Sequence, residues 1–108
     1  MFRNTRSRAK IKKLKFDLDR KWFFEKISKM TCEATQVSLN LEMNKESFHN
    51  PFRPSIDKID PNKGYTKDNC QIVCVMYNKM KCDYKKEDIA KMMKSWFEKG
   101  DLKTYVQS

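Results

Sequence analysis

The chain has 108 residues, and its 24 lysine and arginine residues outnumber its 14 aspartate and glutamate residues, which gives a formal net charge of +10 at pH 7. This length is enough for one domain with a modest core, and we expect a single domain over residues 1–108. The charge favours a polyanionic partner, with nucleic acid ahead of a membrane surface. No apolar run approaches the roughly 18 to 20 residues of a transmembrane helix, and no apolar N-terminal stretch indicates a signal peptide. These features predict a protein of the cytoplasm.

The N-terminal segment carries much of the positive charge. Seven basic residues lie between Arg3 and Lys15, and no acidic residue occurs before Asp17. We expect a basic arm or short helix over about residues 1–16 that follows a phosphate backbone. The alternative is a solvated basic helix that only aids solubility. The side chains expected to contact phosphates are Arg6, Arg8, Lys10, Lys12 and Lys13.

A second helix is predicted directly after this arm. Asp17 or Asp19 would be its N-cap, and it would run to about Met30 with Trp22 and Ile27 on its apolar stripe. Residues 40–54 are polar and interrupted by prolines, so they are predicted to form a loop.

A strand–turn–strand–helix unit follows this loop. Two β-branched runs, residues 55–60 and 71–75, flank a turn built on Pro61 and Gly64. Proline presets φ in such a turn, and glycine permits a left-handed conformation. A short helix then carries Asn78 and Lys81 on one face. An acid at the end of the first strand and an amide on this helix can converge on one divalent metal ion.

The last predicted helix is strongly amphipathic. Asp83 would cap it, and Gly100 would end it. Its apolar stripe is predicted to belong to the core and consists of Ile89, Met92, Met93, Trp96 and Phe97. The predicted fold class is therefore α+β, with a small β-hairpin and helices packed around it.

The four cysteines are expected to be thiols in a reducing compartment. Only Cys70 and Cys74 are close in sequence, and Cys32 and Cys82 supply no second pair with the spacing of a zinc knuckle. The pattern therefore favours small buried apolar side chains over a structural zinc site.

The segment PSIDKIDPNKGYTKDNCQIVC, from Pro54 to Cys74, and the following Asn78-Lys79-Met80-Lys81 resemble the HNH (His-Me finger, ββα-metal) nucleases, in particular the small phage-type HNH proteins. Residues 9–18 with Trp22 are similar to the basic lead-in helix of that group. Cys32-Glu33-Ala34-Thr35 is similar to its Cys-x-x-Thr-Gly element, with Gln36 where glycine is usual. The resemblance spans roughly residues 8–98 and implies a hairpin and helix arranged as a ββα-metal unit.

The resemblance also implies roles for individual residues. Asp57 and Asn78 would bind one Mg²⁺ or Mn²⁺ ion, Asn69 would brace the loop between the strands, and Lys81 would hold a phosphate. Oxygen ligands are those that magnesium prefers, and such an ion polarises a phosphate and stabilises the leaving oxygen. Two structural alternatives remain open, since Asp57 could instead pair with Lys58 or Lys81 and Asn78 could be a helix cap.

The general base is the point at which the chain departs from the family. HNH nucleases have a histidine directly after the strand aspartate, and this chain has Lys58 there. An ordinary lysine, with a pKa of about 10.4, is almost entirely protonated at pH 7, so Lys58 fits a phosphate contact better than a base. The other candidates are His49, which is the only histidine, and Asp60. A metal-bound hydroxide without one dedicated residue is a further alternative.

The predicted function is metal-dependent hydrolysis of DNA by an endonuclease or nickase. The alternative is a catalytically weakened relative that binds DNA through the same fold as an accessory protein. Either protein would contact the DNA backbone with low sequence specificity and would not bind a membrane. It could act as a homodimer or with a partner in viral DNA processing. If the protein is viral, its expected compartment is the host cytoplasm. A basic protein that binds acidic partners is disfavoured.

Overall fold

The described part of the chain combines three helices with one antiparallel pair of strands, which confirms the predicted α+β class. The computed structural model describes residues 15–42 and 50–106. The elements are α1 (Arg20–Ile27), β1 (Pro54–Lys58), β2 (Cys70–Cys74), α2 (Val75–Lys81), α3 (Lys86–Glu98) and a 3₁₀ turn (Leu102–Thr104). Within these ranges, no helix has the length and apolar character needed to cross a membrane. The basic arm predicted for residues 1–16 lies almost entirely outside the described residues.

The two strands form the centre of the fold. They pair with Ile56 opposite Ile72 and Asp57 opposite Gln71. Each begins one residue before the predicted run and ends earlier than predicted. Because side chains alternate along a strand, Ser55 and Asp57 point to the face that α2 covers, while Ile56 and Ile72 lie in the core.

Helix α1 begins where one of the two predicted caps places it. Asp19 Oδ1 accepts a hydrogen bond of 2.8 Å from the backbone N–H of Trp22, and this bond is the main reason that the pKa of Asp19 is lowered. The other candidate, Asp17, instead accepts from the backbone N–H of Lys67 at 2.8 Å. The helix ends at Ile27, three residues before the predicted end.

Glycine is required at position 64 for a reason other than the predicted left-handed turn conformation. Neither glycine of the chain has a positive φ, so the expected left-handed turn at Gly64 is wrong. A Cβ atom at this position would instead collide with the backbone of Lys15, whose carbonyl oxygen accepts a 2.7 Å hydrogen bond from Tyr65 N–H. Glycine is needed because two chain segments approach each other closely.

The outer edge of β2 is covered by a short loop centred on Glu33. Its backbone N–H donates to Ile72 O at 2.9 Å, and its carboxylate Oε2 accepts from Ile72 N–H at 2.7 Å. Its other oxygen, Oε1, forms a 2.7 Å ion pair with Lys26 of α1. One residue, through its backbone and its side chain, thus satisfies a strand edge that would otherwise be open and connects it to α1.

The core lies between the hairpin, α1 and the loop around Glu33. Its buried apolar members are Leu18, Trp22, Cys32, Leu39, Ile56, Tyr65, Cys70, Ile72, Val73 and Cys74. Three of the cysteines are therefore buried as predicted, and burial raises the pKa of the Cys70 thiol to about 12. Cys82 is exposed, which corrects its predicted burial.

Helix α3 does not contribute its stripe to this core, contrary to the prediction. None of its residues is buried, and Met92, Trp96 and Phe97 are 47%, 40% and 42% exposed. The predicted cap is also wrong, since Asp83 precedes the N-cap residue, Lys85. An amphipathic pattern defines an apolar face but does not guarantee that another element covers it.

Gln36 generates a stability prediction, because its φ of 68° is left-handed and the resemblance expects glycine at this position. A left-handed residue with a side chain costs roughly 1–2 kcal/mol, and the greater chain entropy of glycine offsets part of the gain. Gln36→Gly should therefore raise the free energy of unfolding by about 0.5–1 kcal/mol in urea denaturation. Gln36→Ala is the control, because it loses the same weak side-chain hydrogen bond to Glu33 O but keeps Cβ. Equal stability of the two variants would contradict the claim that the left-handed backbone at Gln36 costs free energy.

Candidate functional site

A cleft of about 350 Å³ lies between β1, the loop that follows it and α2. The side chains that line it include those of Ser55, Asp57, Lys58, Asn78 and Lys79. The fold therefore brings together Asp57, Lys58 and Asn78, which were predicted for one site although Asn78 is about 20 residues away from the other two in the sequence. Lys81 adjoins this group from the end of α2.

Asp57 and Lys81 form a buried ion pair at the floor of this region. Lys81 Nζ lies 3.0 Å from Asp57 Oδ1 and 3.2 Å from Oδ2. The two residues are only 2% and 1% exposed. Gln71, directly opposite Asp57 on β2, donates from Nε2 to Oδ2 at 3.0 Å. Both oxygens of the Asp57 carboxylate therefore already accept hydrogen bonds from the protein.

Lys81 is surrounded by acceptors of the protein itself. Besides Asp57, its ammonium group donates to the carbonyl oxygens of Lys58 at 2.6 Å and Ile59 at 3.2 Å. This position corrects the predicted phosphate contact, since an ammonium group that is 1% exposed and bonded on all sides is not available to a ligand in the cleft.

Asn78 lies within α2 and is not a helix cap. Its Nδ2 donates to Ser55 Oγ at 2.8 Å and to Ile56 O at 3.1 Å, which joins α2 to β1. The carbonyl of Ile56 can only accept, so it fixes the orientation of the amide. Asn78 Oδ1 accepts no hydrogen bond from the described residues and belongs to a residue that lines the cleft.

Lys58 lies at the side of the cleft and bonds to the loop. Its Nζ donates to Pro61 O at 3.1 Å and lies 4.9 Å from the centroid of the Tyr65 ring. The Lys58 ammonium group is therefore held between the loop and the Tyr65 ring, at a residue that lines the cleft.

Asp60 and Asn69 hold the loop between the strands. Asn69 Oδ1 accepts from Asp60 N–H at 2.9 Å, and its Nδ2 donates to Asp60 O at 3.1 Å and Gly64 O at 2.9 Å. These bonds fit the predicted bracing role of Asn69. The Asp60 carboxylate accepts from Asn62 N–H at 2.9 Å and is not among the groups that line the cleft.

The remaining predicted site residues lie outside the described ranges. They are His49, Arg6, Arg8, Lys10, Lys12 and Lys13.

The described donor set does not fit a divalent metal ion as it is arranged. Asp57 has no uncommitted oxygen, and a cation, Lys81, already lies beside it. The oxygens around Lys81 Nζ lie at 2.6–3.2 Å, whereas magnesium requires oxygens at about 2.0–2.1 Å. Within residues 15–42 and 50–106, no three histidine, cysteine, aspartate or glutamate side chains are grouped so that they could hold a metal ion.

Three residues around the cleft were not predicted from the sequence to belong to the site, namely Ser55, Gln71 and Lys79. The strand register supplies a signal for the first two, because residues two apart on a strand share a face and Gln71 must oppose Asp57 once the hairpin is paired. No local signal identified Lys79 among the many lysines of the chain.

Comparison with known proteins gives no relative from which a role could be transferred. No protein-family model, no curated protein and no solved structure matches the chain. The geometry of the cleft and the charge of the chain are therefore the basis for a functional proposal.

The ion pair generates a prediction about stability. Lys81→Met and Asp57→Asn should each lower the free energy of unfolding by about 3–5 kcal/mol, because each removes one charge of the pair and leaves the other buried without its counter-ion. The double variant should lose less than the sum of the two single losses, since neither charge is left alone. Denaturant unfolding of all four proteins measures the coupling.

Lys79→Met is the matched control for this cycle, because it makes the same change at an exposed position of α2. It should alter stability by no more than about 0.5 kcal/mol. Additive losses at Asp57 and Lys81 would show that the two groups do not depend on each other.

Proposed function

We propose that the chain is a DNA-binding protein with an HNH-type strand–strand–helix unit, and that the cleft beside α2 receives the phosphodiester backbone. The observation that carries this proposal is the internal neutralisation of Asp57 by Lys81. Because the acid beneath the cleft is already paired, a phosphate that enters the cleft does not meet an uncompensated carboxylate there.

The polar groups around the cleft support an anionic ligand. Lys58 and Lys79 supply positive charge, with Asp83 as an acidic residue at the same cleft. Ser55 Oγ accepts a hydrogen bond from Asn78, which leaves the hydroxyl proton to donate to a phosphate oxygen. Phosphate contacts of this kind position a protein on DNA without reading its sequence.

The net charge of the chain supports the same ligand. The formal charge of +10 includes the seven basic residues between Arg3 and Lys15. Charge of this size attracts a polyanion over a distance and makes its affinity depend strongly on salt. The cleft would then supply the short-range contacts.

Three local features support the HNH-type assignment. Asn78 joins the helix to the first strand, and Asn69 braces the loop between the strands. Gln36 has a left-handed φ at the position where the family pattern has glycine.

Metal-dependent cleavage of DNA is the second candidate function. It is favoured by Asn78 Oδ1, a carbonyl oxygen without a hydrogen bond from the described residues, on the cleft that Asp57 also lines. This function requires that a metal ion compete with Lys81 for the Asp57 carboxylate. The cleavage reaction also needs a proton acceptor, whereas Lys58 Nζ acts as a donor to Pro61 O.

DNA binding by the cleft can be measured by fluorescence anisotropy with a labelled 20-base-pair duplex at several salt concentrations. Lys79→Gln should weaken binding to unrelated sequences equally and reduce the slope of log K against log salt by about one. Lys91→Gln is the control, because it removes the same charge from α3, away from the cleft lining. Equal effects of the two substitutions would show that only net charge matters and would reject the cleft as the binding site.

Supercoiled-plasmid nicking distinguishes the two candidate functions. The DNA-binding proposal predicts that the plasmid stays intact in Mg²⁺ and Mn²⁺ while a salt-sensitive gel shift persists. Relaxation that requires metal, stops in EDTA and is lost in Asn78→Ala would establish the nuclease instead. Circular dichroism of Asn78→Ala controls for loss of the bond between α2 and β1.

A further inference from the structure

Four oxygen atoms of one chain segment enclose the Lys81 ammonium group. The two carboxylate oxygens of Asp57 lie 3.0 and 3.2 Å from Nζ, and the carbonyl oxygens of Lys58 and Ile59 lie 2.6 and 3.2 Å from it. Three of these four atoms come from β1 and the fourth from the residue that follows it. We call these four atoms the β1 oxygen cage.

We propose that the β1 oxygen cage is an ammonium-selective cation site, which the native chain fills with its own Lys81. One carboxylate and two carbonyls form a donor set that suits a cation in general. The distances disfavour magnesium, since 2.6–3.2 Å is the range of N–H···O hydrogen bonds and magnesium needs a contraction to about 2.0–2.1 Å. An ammonium group also supplies three N–H donors, one for the carboxylate and one for each of the two carbonyls.

The surroundings of the cage prevent such a contraction. The Lys58 carbonyl belongs to β1, whose register places Lys58 opposite Cys70, and the next residue, Ile59, donates a 2.8 Å hydrogen bond from its N–H to Asn69 O. The Asp57 carboxylate is held from β2 by Gln71 at 3.0 Å. Movement of the oxygens toward a smaller ion would therefore break hydrogen bonds between the strands.

Burial adds a second barrier to exchange of the cation. Lys81 is 1% exposed, so a divalent ion can take its place among the four oxygens only if the lysine side chain leaves its position at the end of α2. The site is thus selective both by size and because its resident cation is covalently attached. This inference concerns the cation and does not require that the chain bind DNA.

Chemical rescue of Lys81→Ala tests the proposal directly. The substitution removes the amine and most of its aliphatic chain, which leaves space for propylammonium. Thermal unfolding of the variant should shift upward by about 5 °C or more in propylammonium chloride. Tetramethylammonium, which lacks N–H donors, and sodium chloride at the same ionic strength should give no comparable shift.

Two further variants locate the effect. Lys81→Met should show no rescue, because its side chain fills the space that propylammonium would take. Asp57→Asn/Lys81→Ala should also show none, because the cage has lost its charge. A larger shift of Lys81→Ala in Mg²⁺ or Mn²⁺ than in propylammonium, or equal shifts of all variants, would overturn the proposal.

The native protein decides the question if Lys81→Ala does not fold under any of these conditions. Free Mn²⁺ is then followed by electron paramagnetic resonance with native protein and with Asp57→Asn. Equal uptake of Mn²⁺ by the two proteins supports the proposal, and a binding site present only in the native protein overturns it. Neither measurement uses DNA, so its failure is distinguishable from failure of the proposed function.

Discussion

A buried carboxylate persists in a folded protein only while a cation or several donors stay beside it, and in this protein Asp57 imposes that constraint. Its partner, Lys81, is the last residue of α2, so the ion pair fixes where the helix must end relative to β1. Asn78 adds a neutral attachment one turn earlier, through Ser55 and the Ile56 carbonyl. The hairpin and α2 therefore cannot separate unless the Asp57–Lys81 ion pair is broken.

Under the proposed function, the Asp57–Lys81 ion pair also determines which ligands the cleft accepts. With Asp57 neutralised beneath it, the cleft presents lysines and small hydrogen-bond donors, which suits phosphodiester groups. A chain that used Asp57 for catalysis would need its carboxylate oxygens to be accessible, and here they accept bonds from Lys81 and Gln71. Under the proposed function, the residues that resemble a nuclease motif serve to bind DNA.

Much of this arrangement could be predicted from local chemistry. The β-branched runs and the turn residues predicted the hairpin, and the pairing of Asp57 with Lys81 was one of the alternatives that the sequence left open. The burial of that pair could not be predicted, because it depends on the packing of α2 over the strands. The edge cover by Glu33 joins positions 39 residues apart, and no local signal specifies such a contact. Gly64 shows a different limit, since the sequence cannot distinguish a left-handed turn from a close approach of two segments.

The state of the Lys81 ammonium group in the native protein is the most direct test of this account. Nitrogen-15 NMR of lysine side chains reports hydrogen exchange at each Nζ. The account predicts a resolved, slowly exchanging Lys81 signal near neutral pH that is absent in Asp57→Asn and unchanged by excess Mg²⁺, whereas exposed Lys79 exchanges rapidly. A Lys81 signal that exchanges as fast as that of Lys79, or that changes when Mg²⁺ is added, would contradict it.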